Sequence, residues 1–188
     1  MDGDAWTEAV RGSAASYRRM IDGAVAQLSD AELRARPRPG MNSVAVILRH
    51  LAGNLLSRWT DFLTTDGEKP DRHREQEFLD WEGDRASLLA RFDAGWNALV
   101  NALQEIDATT WDRPVFIRGE RLTVADATLR ALTHIGYHAG QIVLVARLVH
   151  DGPWHWLTIP PGGGAPHDRH SAGAAASRDA TGEQPAAP

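Results

Sequence analysis

Hydrophobic and polar positions follow a helical period over four stretches of the chain, and the first two lie in its N-terminal half. Residues 6–28 carry apolar side chains at helical spacing and are predicted to form the first helix. Residues 34–40, with the sequence RARPRPG, separate it from the next, because two prolines and a glycine are unfavourable inside a helix. Asn42 or Ser43 can then cap a second helix, which is predicted to reach about Thr64.

The other two helices follow a polar connection at residues 64–76, whose glycine and proline indicate an exposed loop. The third helix has the most regular apolar face, formed over about five turns by Leu88, Leu89, Phe92, Trp96, Leu99, Leu103 and Ile106. Residues 110–123 suit a short hairpin or ordered loop. Thr123 and Asp126 then resemble a capping box, which predicts a fourth helix over residues 124–150.

The length and composition fit one domain with a separate tail. With 188 residues, of which 43% are hydrophobic, the chain can bury a sizeable core. Residues 1–161 contain the four predicted helices and little strand, so we expect one all-α domain, a four-helix bundle with a short hairpin or ordered loop before the last helix. Residues 162–188 are rich in glycine, alanine and proline, lack large apolar residues, and are predicted to form a disordered C-terminal tail.

The charge balance and the absence of cysteine narrow the partners and the chemistry. A net charge of -5 disfavours nucleic acid and anionic membrane surfaces, which bind clustered lysine and arginine. The acidic N-terminus MDGDAWTEAV lacks the apolar run of a secretory signal. Because no stretch approaches the roughly 20 apolar residues that cross a bilayer, we expect a cytoplasmic protein without a membrane partner. Without thiolates, a bound metal must rely on His, Asp or Glu.

Two histidines on the fourth predicted helix, His134 and His138, have the spacing of a metal-ligand pair. Residues four apart lie on one face of a helix, about 6 Å apart along its axis, so both imidazoles can reach one ion. The pair falls at one border of the apolar stripe, which directs it partly inward. A surface pair is the alternative, because this spacing also arises by chance. Against that alternative, two buried imidazoles without partners would cost about 1–3 kcal/mol each, which a metal would offset.

His50 on the second predicted helix is the third candidate ligand, and its position is ambiguous. It lies outside the apolar face of that helix, on a second stripe with Asn54, Ser57 and Asp61. This polar stripe either faces water or lines a polar cleft inside the domain, and the periodicity fits both. The remaining histidines lie in loops, at a helix end or in the tail and are set aside; they are His73, His150, His155, His167 and His170.

Three motifs together resemble the DinB superfamily, also called YfiT-like. They are the segment SVAVILRHLAGNLLSRW with His50, the late element HIGYHAGQI with His134 and His138, and the closing segment WHWLTIPPGGG. The likeness spans roughly residues 4–164, and the closing segment is similar to one branch of the superfamily that has no assigned function. The resemblance implies a four-helix bundle in which His50, His134 and His138 bind one divalent transition metal, such as zinc or nickel.

The resemblance also implies a class of reaction. Some relatives are transferases or isomerases that use a low-molecular-weight thiol, such as bacillithiol or mycothiol, which the metal activates as a thiolate. Because this chain has no cysteine, the thiol would have to come from a small molecule. Asn54, one turn beyond His50, and Gln141, one turn beyond His138, would orient the substrate or support the ligands. The leading hypothesis is a metal-dependent S-transferase that acts on a small-molecule substrate.

Two other functions stay open at this point. The first is a metal-dependent hydrolase with metal-bound hydroxide as its nucleophile. It would not be a zincin-type metalloprotease, because HIGYH lacks the glutamate that follows the first histidine in that motif. The second is a non-catalytic, stress-related binding or scaffold protein whose metal is structural or absent. Relatives are often homodimers, so the resemblance also leaves a homodimer open.

Overall fold

The computed structural model describes residues 3–160, and this part of the chain is mostly helical with a small two-stranded sheet. The helices in chain order are α1 (Gly3–Val25), α2 (Asp30–Arg34), α3 (Val44–Trp59), α4 (Arg85–Gln104) and α5 (Val124–Val149). A 3-10 helix at Arg74–Phe78 lies between α3 and α4. The strands β1 (Pro114–Ile117) and β2 (Glu120–Thr123) pair antiparallel ahead of α5.

The helical class predicted from the periodicity is confirmed, and the segment before the last helix is a hairpin. Its two turn residues, Arg118 and Gly119, both have a positive φ, 56° and 73°, which is the conformation of a tight two-residue hairpin turn. The predicted capping box is also present. The Thr123 side chain accepts a hydrogen bond from the Asp126 amide, and the Asp126 carboxylate accepts one from the Thr123 amide. These bonds start α5 at Val124, as predicted.

The first two long helices end earlier than predicted. α1 ends at Val25 rather than Leu28, and α3 ends at Trp59 rather than near Thr64. Beyond α3, Asp61 adopts the left-handed conformation with a φ of 49°, which aspartate tolerates better than most residues and which a helix cannot continue through. The apolar pattern therefore runs on past the backbone change that ends the helix.

The short helix α2 was not predicted, because five residues are too few to show a helical period. A capping box sets its start: the Ser29 side chain accepts from the Glu32 amide, and the Glu32 carboxylate accepts from the Ser29 amide. The same carboxylate lies 3.0 Å from Nδ1 of His150 and accepts a 2.9 Å hydrogen bond from the Asp151 amide. Glu32 thereby joins α2 to the end of α5.

The hydrophobic core lies among the four long helices, with α3 against α4 and α1 against α5. α3 and α4 approach closely at Gly95, where an added Cβ atom would lie 2.6 Å from the carbonyl oxygen of Ala52. The large side chains with less than 2% exposure come from all four of these helices and from the segments next to them; they are Val10, Ile21, Leu33, Leu48, Leu51, Leu55, Leu88, Phe92, Leu99, Ile106, Ile135 and Ile142.

The Gly95→Ala variant is expected to be less stable than the parent by about 1–3 kcal/mol, because the new methyl group must push against backbone rather than a movable side chain. The matched control is Gly12→Ala in α1, where no atom outside the adjoining backbone of the helix lies within 4 Å of the position that the new methyl group would take. Helix propensity alone should therefore stabilise this control by about 0.5–1 kcal/mol. Urea unfolding followed by circular dichroism measures the free energy of unfolding of both variants. Equal effects of the two changes would contradict the close crossing of α3 and α4.

Residues 3–157 form one compact unit. Residues 158–160, the last that the structure describes, contain neither helix nor strand. The predicted domain boundary at residue 161 and the predicted tail at residues 162–188 lie outside the described residues. None of the helices within residues 3–160 has the length and apolar character needed to cross a bilayer.

Candidate metal site

The three candidate histidines converge at one point between α3 and α5. Nε2 of His134 lies 3.3 Å from Nε2 of His50 and 3.1 Å from Nε2 of His138. One potential ligand atom from each residue lies within 4.8 Å of the other two. Two nitrogens bound to one tetrahedral zinc at about 2.0–2.1 Å are themselves about 3.3 Å apart, so these separations are those of a shared ion. Together, the three histidines form a group that could hold a metal ion.

The packing of α3 decides which way its polar stripe faces. His50 is 5% exposed, and its ring stacks on Phe78 of the 3-10 helix at a centroid distance of 4.7 Å. Asn54, one turn further along, lines a cavity that His50 and His134 also line. His50 and Asn54 therefore line a polar cleft, whereas Asp61, the last residue of the stripe, lies beyond α3 and is exposed. His134 and His138 are half-buried, so the structure does not support the alternative that this pair lies on the protein surface.

A buried carboxylate fixes the orientation of His50. Nδ1 of His50 lies 2.9 Å from Oε2 of Glu77, and because a carboxylate oxygen only accepts, this nitrogen donates. Arg72 holds the same carboxylate from its other side, with Nε donating to Oε1 and Nη2 donating to Oε2, both at 2.8 Å. A side chain at Gly53 would overlap the Glu77 carboxylate, so the glycine lets Glu77 approach α3. In the neutral form of the ring, a proton on Nδ1 leaves Nε2 of His50 with a free lone pair.

Gln141 has a similar relation to His138. Its Oε1 lies 2.7 Å from Nδ1 of His138, and its Nε2 donates to the hydroxyl of Tyr137 at 2.8 Å. Since an amide oxygen only accepts, Nδ1 of His138 donates and Nε2 again keeps its lone pair. Gln141 thus contacts one candidate ligand directly, and Asn54 lies on the cavity wall. Whether either residue orients a substrate stays a prediction.

The hydrogen-bond pattern leaves an excess of lone pairs at the centre of the group. Nε2 of His50 and Nε2 of His138 both present lone pairs, and Nε2 of His134 lies within hydrogen-bond distance of both. Nε2 of His134 carries at most one proton, so it can satisfy only one of the two neighbours. A cation would satisfy all three nitrogens at once, and neutral imidazoles are the form that binds metals. The donor set therefore fits a divalent transition metal.

The surroundings keep two of these imidazoles neutral. Burial is the main cause that lowers the pKa of His134 to about 3, and the neighbouring His138 and His50 lower it further. Burial likewise lowers the pKa of His138 to about 4, with a further contribution from His50 and an opposing one from the hydrogen bond with Gln141. For Glu77, burial alone would raise the pKa, but the hydrogen bonds from His50 and Arg72 outweigh it, and the pKa lies below its usual value.

These shifts predict how the metal-free protein responds to acid. In the unfolded chain an imidazole takes up a proton near pH 6.5, whereas in the folded chain His138 and His134 do so only near 4 and 3. Below pH 6.5 the unfolded state binds more protons, so stability falls as the pH decreases. After allowance for the partial exposure of His138, we expect a loss of roughly 2–3 kcal/mol between pH 7 and pH 5.

Urea unfolding of the chelator-treated protein at several pH values measures this loss. The double variant His134→Gln/His138→Gln is the matched comparison, since it removes these two titrating groups and leaves the other histidines in place. Its stability should depend less steeply on pH in this range. The same slope in the parent and the double variant would contradict the assigned shifts.

The residues that sequence reasoning missed are Arg72 and Glu77. Both lie in or beside the polar connection predicted as an exposed loop, yet their side chains are only 4% and 5% exposed. Charged residues in a loop carry no periodic pattern, so the sequence gives no signal that this pair turns inward. The other described histidines lie outside the group: His150 contacts Glu32, and His155 is exposed.

The remaining set-aside histidines add nothing to the group. His73 precedes the 3-10 helix as its N-cap residue and makes no side-chain capping bond there. His167 and His170 lie outside the described residues. The histidine group within residues 3–160 that could hold a metal ion is thus the one indicated by the sequence motifs.

Comparison with known proteins adds a family. The family model described as "Protein of unknown function (DUF1572)" matches residues 2–163. No curated protein and no solved structure matches the chain. Because the family match covers most of the 188 residues, the chain belongs to the DUF1572 family.

Proposed function

We propose that this protein is a metal-dependent enzyme of the DinB kind in which His50, His134 and His138 hold one divalent transition metal. The observation that carries the proposal is the convergence of the three Nε2 atoms, two of them 3.3 Å and 3.1 Å from the third. His50 and His134 also line a cavity of about 690 Å³, which is large enough for a small molecule. A site built only to stabilise the fold would more often be closed by a fourth protein ligand.

The fold is consistent with that assignment. We propose that α1, α3, α4 and α5 form a four-helix bundle of the DinB type, with the site between α3 and α5. In such bundles, metal sites are built from inward side chains on facing helices, and the facing positions here are His50 on one helix and His134 with His138 on the other.

The chain's own residues would prepare the site for chemistry. A bound divalent metal would lower the pKa of a thiol or water ligand, which supplies a nucleophile at neutral pH. Glu77 holds His50 in the tautomer whose Nε2 is free, and Gln141 does the same for His138. The depressed pKa values of His134 and His138 keep both imidazoles unprotonated at neutral pH. Asn54 and Tyr137 lie on the cavity wall, where their polar groups can orient a substrate.

Thiol transfer is the reaction that the cavity wall favours. A water nucleophile is usually helped by a carboxylate general base next to the metal. Within the described part of the chain, Asp126 is the acidic residue that lines the cavity, and its carboxylate is bound to Thr123 in the capping box. A thiol has a much lower pKa than water before it binds a metal, so it needs less help from such a base. Since the chain has no cysteine, the thiol would come from a small molecule, and the enzyme would be an S-transferase.

The test is a conjugation assay with the untagged, full-length protein. A panel of low-molecular-weight thiols is mixed with monochlorobimane, and fluorescence reports thioether formation. We expect conjugation at least about ten times faster with zinc- or nickel-loaded protein than with chelator-treated protein, for at least one thiol. The variant His155→Ala, which changes an exposed histidine outside the group, should retain this rate.

The same preparation separates the alternatives. If no thiol reacts faster than with metal-free protein, the transferase proposal is wrong. Metal-dependent hydrolysis of 4-nitrophenyl acetate would then support a hydrolase. If a preparation that contains metal shows neither conjugation nor hydrolysis, the non-catalytic binding or scaffold function is supported.

A further inference from the structure

The cavity next to the three histidines has a strongly basic wall in an acidic protein. Within residues 3–160, five arginines line it; they are Arg58, Arg72, Arg74, Arg118 and Arg130. The whole chain contains 20 lysines and arginines and has a net charge of -5, so a quarter of its basic residues lie around this one cavity. Such a concentration of positive charge attracts anions into a cleft.

Three of these guanidinium groups share a single carboxylate oxygen. Oε2 of Glu68 lies 2.6 Å from Nη1 of Arg58, 3.1 Å from Nε of Arg118 and 3.5 Å from Nη1 of Arg72. Arg72 has a second partner in Glu77, but that carboxylate also accepts from His50. Each guanidinium offers five N–H donors, so the cluster has donors left over after these contacts.

Acidic side chains among the described residues do little to compensate this charge from inside the cavity. Asp126 is the acidic residue found in the wall of this part of the chain, and its carboxylate accepts a 2.7 Å hydrogen bond from the Thr123 hydroxyl. The partners of Arg74 and Arg130 are Glu75 and Glu120, whose side chains are 90% and 63% exposed. Exposed ion pairs are weak in water, so an anion in the cavity could compete for these arginines.

The cavity also has an apolar side. Trp59, Phe62, Ile117 and Leu129 contribute to its wall. The Trp59 ring is 3% exposed, and within residues 3–160 its buried Nε1 has no hydrogen-bond partner. The exposed apolar surface of the wall comes from Leu129 and Tyr137, which are 54% and 62% exposed. An occupant with an apolar body would cover these two side chains, whereas inorganic phosphate or a small polar anion would leave them in contact with water.

We propose that this cavity binds a small organic anion whose carboxylate pairs with the arginine wall while its apolar body lies against Leu129 and Tyr137. The inference names the substrate class for the proposed function and rests on that function only for the claim that the bound anion reacts. The binding itself depends on the arginines and the apolar wall, which are present whether or not a metal is bound.

The test compares two ligands of the same shape that differ in charge, 3-phenylpropionate and its neutral analogue 3-phenylpropionamide. Isothermal titration calorimetry with the full-length protein measures both affinities at low salt, once with metal-free and once with zinc-loaded protein. With metal-free protein the carboxylate cannot bind zinc directly, so its affinity there reports on the arginines and the apolar wall. We expect the carboxylate to bind at least about ten times more tightly than the amide in both arms, with the difference shrinking as salt is added.

Two exposed arginines of the wall test the assignment to this cavity. Arg118→Gln and Arg130→Gln should each weaken carboxylate binding about five-fold and leave amide binding unchanged. Arg121→Gln is the matched control, since Arg121 is exposed on β2 of the same hairpin but does not line the cavity. Circular dichroism of each variant checks that the fold is intact.

The proposal is overturned if the amide binds as tightly as the carboxylate, or if Arg121→Gln weakens binding as much as the two wall variants. Its failure is separable from failure of the metal-dependent function. Arginine-dependent binding of the carboxylate by a protein that takes up no zinc would leave the anion site standing and remove only the metal chemistry. Zinc-dependent conjugation by a protein that binds the carboxylate and the amide equally well would support the metal chemistry and remove only the anion site.

Discussion

Replacement of His134 by alanine is expected to abolish binding of the proposed divalent metal in the purified protein. Nε2 of this residue lies within 3.3 Å of both other candidate ligand atoms, so the substitution leaves two imidazoles where there were three. Structural zinc sites bind with about 10–16 kcal/mol over four ligands, or about 3 kcal/mol per ligand. Loss of one ligand should therefore weaken binding by at least about 100-fold.

Metal analysis of the untagged chain measures this effect, and the absence of a histidine tag is essential because a tag binds the same ions. We expect about one ion per chain in the parent and less than about a tenth of that in His134→Ala. His155→Ala is the matched control, because it removes an exposed imidazole outside the group and should keep full metal content. Full metal content in His134→Ala, with an unchanged unfolding curve, would eliminate the proposed site.

The helices of this fold could be predicted because burial imposes a period on the sequence. α4 shows this most directly: the residues of its predicted apolar face include Leu88, Phe92 and Leu99, each at most 1% exposed in the structure. The helix ends were less predictable, because they depend on local backbone events such as the left-handed Asp61. A hydrophobic pattern contains no information about the φ angle of a single residue.

The candidate site was predictable in part, and His50 shows the limit. Its position on a polar stripe fits a water-facing side chain and a cleft equally well, since both require polar residues at the same spacing. The choice depends on which helix packs opposite, and that is a long-range property. The motif resemblance supplied what the periodicity could not, and the burial of His50 agrees with it.

Neither the hydrophobic periodicity nor the motif resemblance could predict the burial of Arg72 and Glu77. They enter the protein interior from a connection with no helical or strand period, and their burial depends on Gly53 of a different element leaving room. Gly53 within α3 is the local signal of a close approach, and it does not indicate which residue approaches. Contacts of this kind become visible only when the two segments are placed together.

Replacement of Glu77 by glutamine is expected to have two large and separable effects. The amide keeps the size of the side chain but removes the charge that Arg72 and His50 share. Arg72 is 4% exposed and retains only the 3.5 Å contact with Glu68 as an ion pair, so we expect a loss of about 2–3 kcal/mol in the free energy of unfolding. Loss of the carboxylate that orients His50 should also lower metal affinity by about 10–100-fold.

The two effects are measured on the same preparation, with urea unfolding of the metal-free protein for stability and competition with a chromophoric chelator for zinc affinity. Glu75→Gln is the matched control, because Glu75 lies on the same 3-10 helix with a 90% exposed side chain and contacts no candidate ligand. It should change neither quantity measurably. A merely structural role for Glu77 would reduce stability and leave zinc affinity unchanged in the folded protein. If the folded variant binds zinc more weakly in the absence of urea, Glu77 contributes to the metal site.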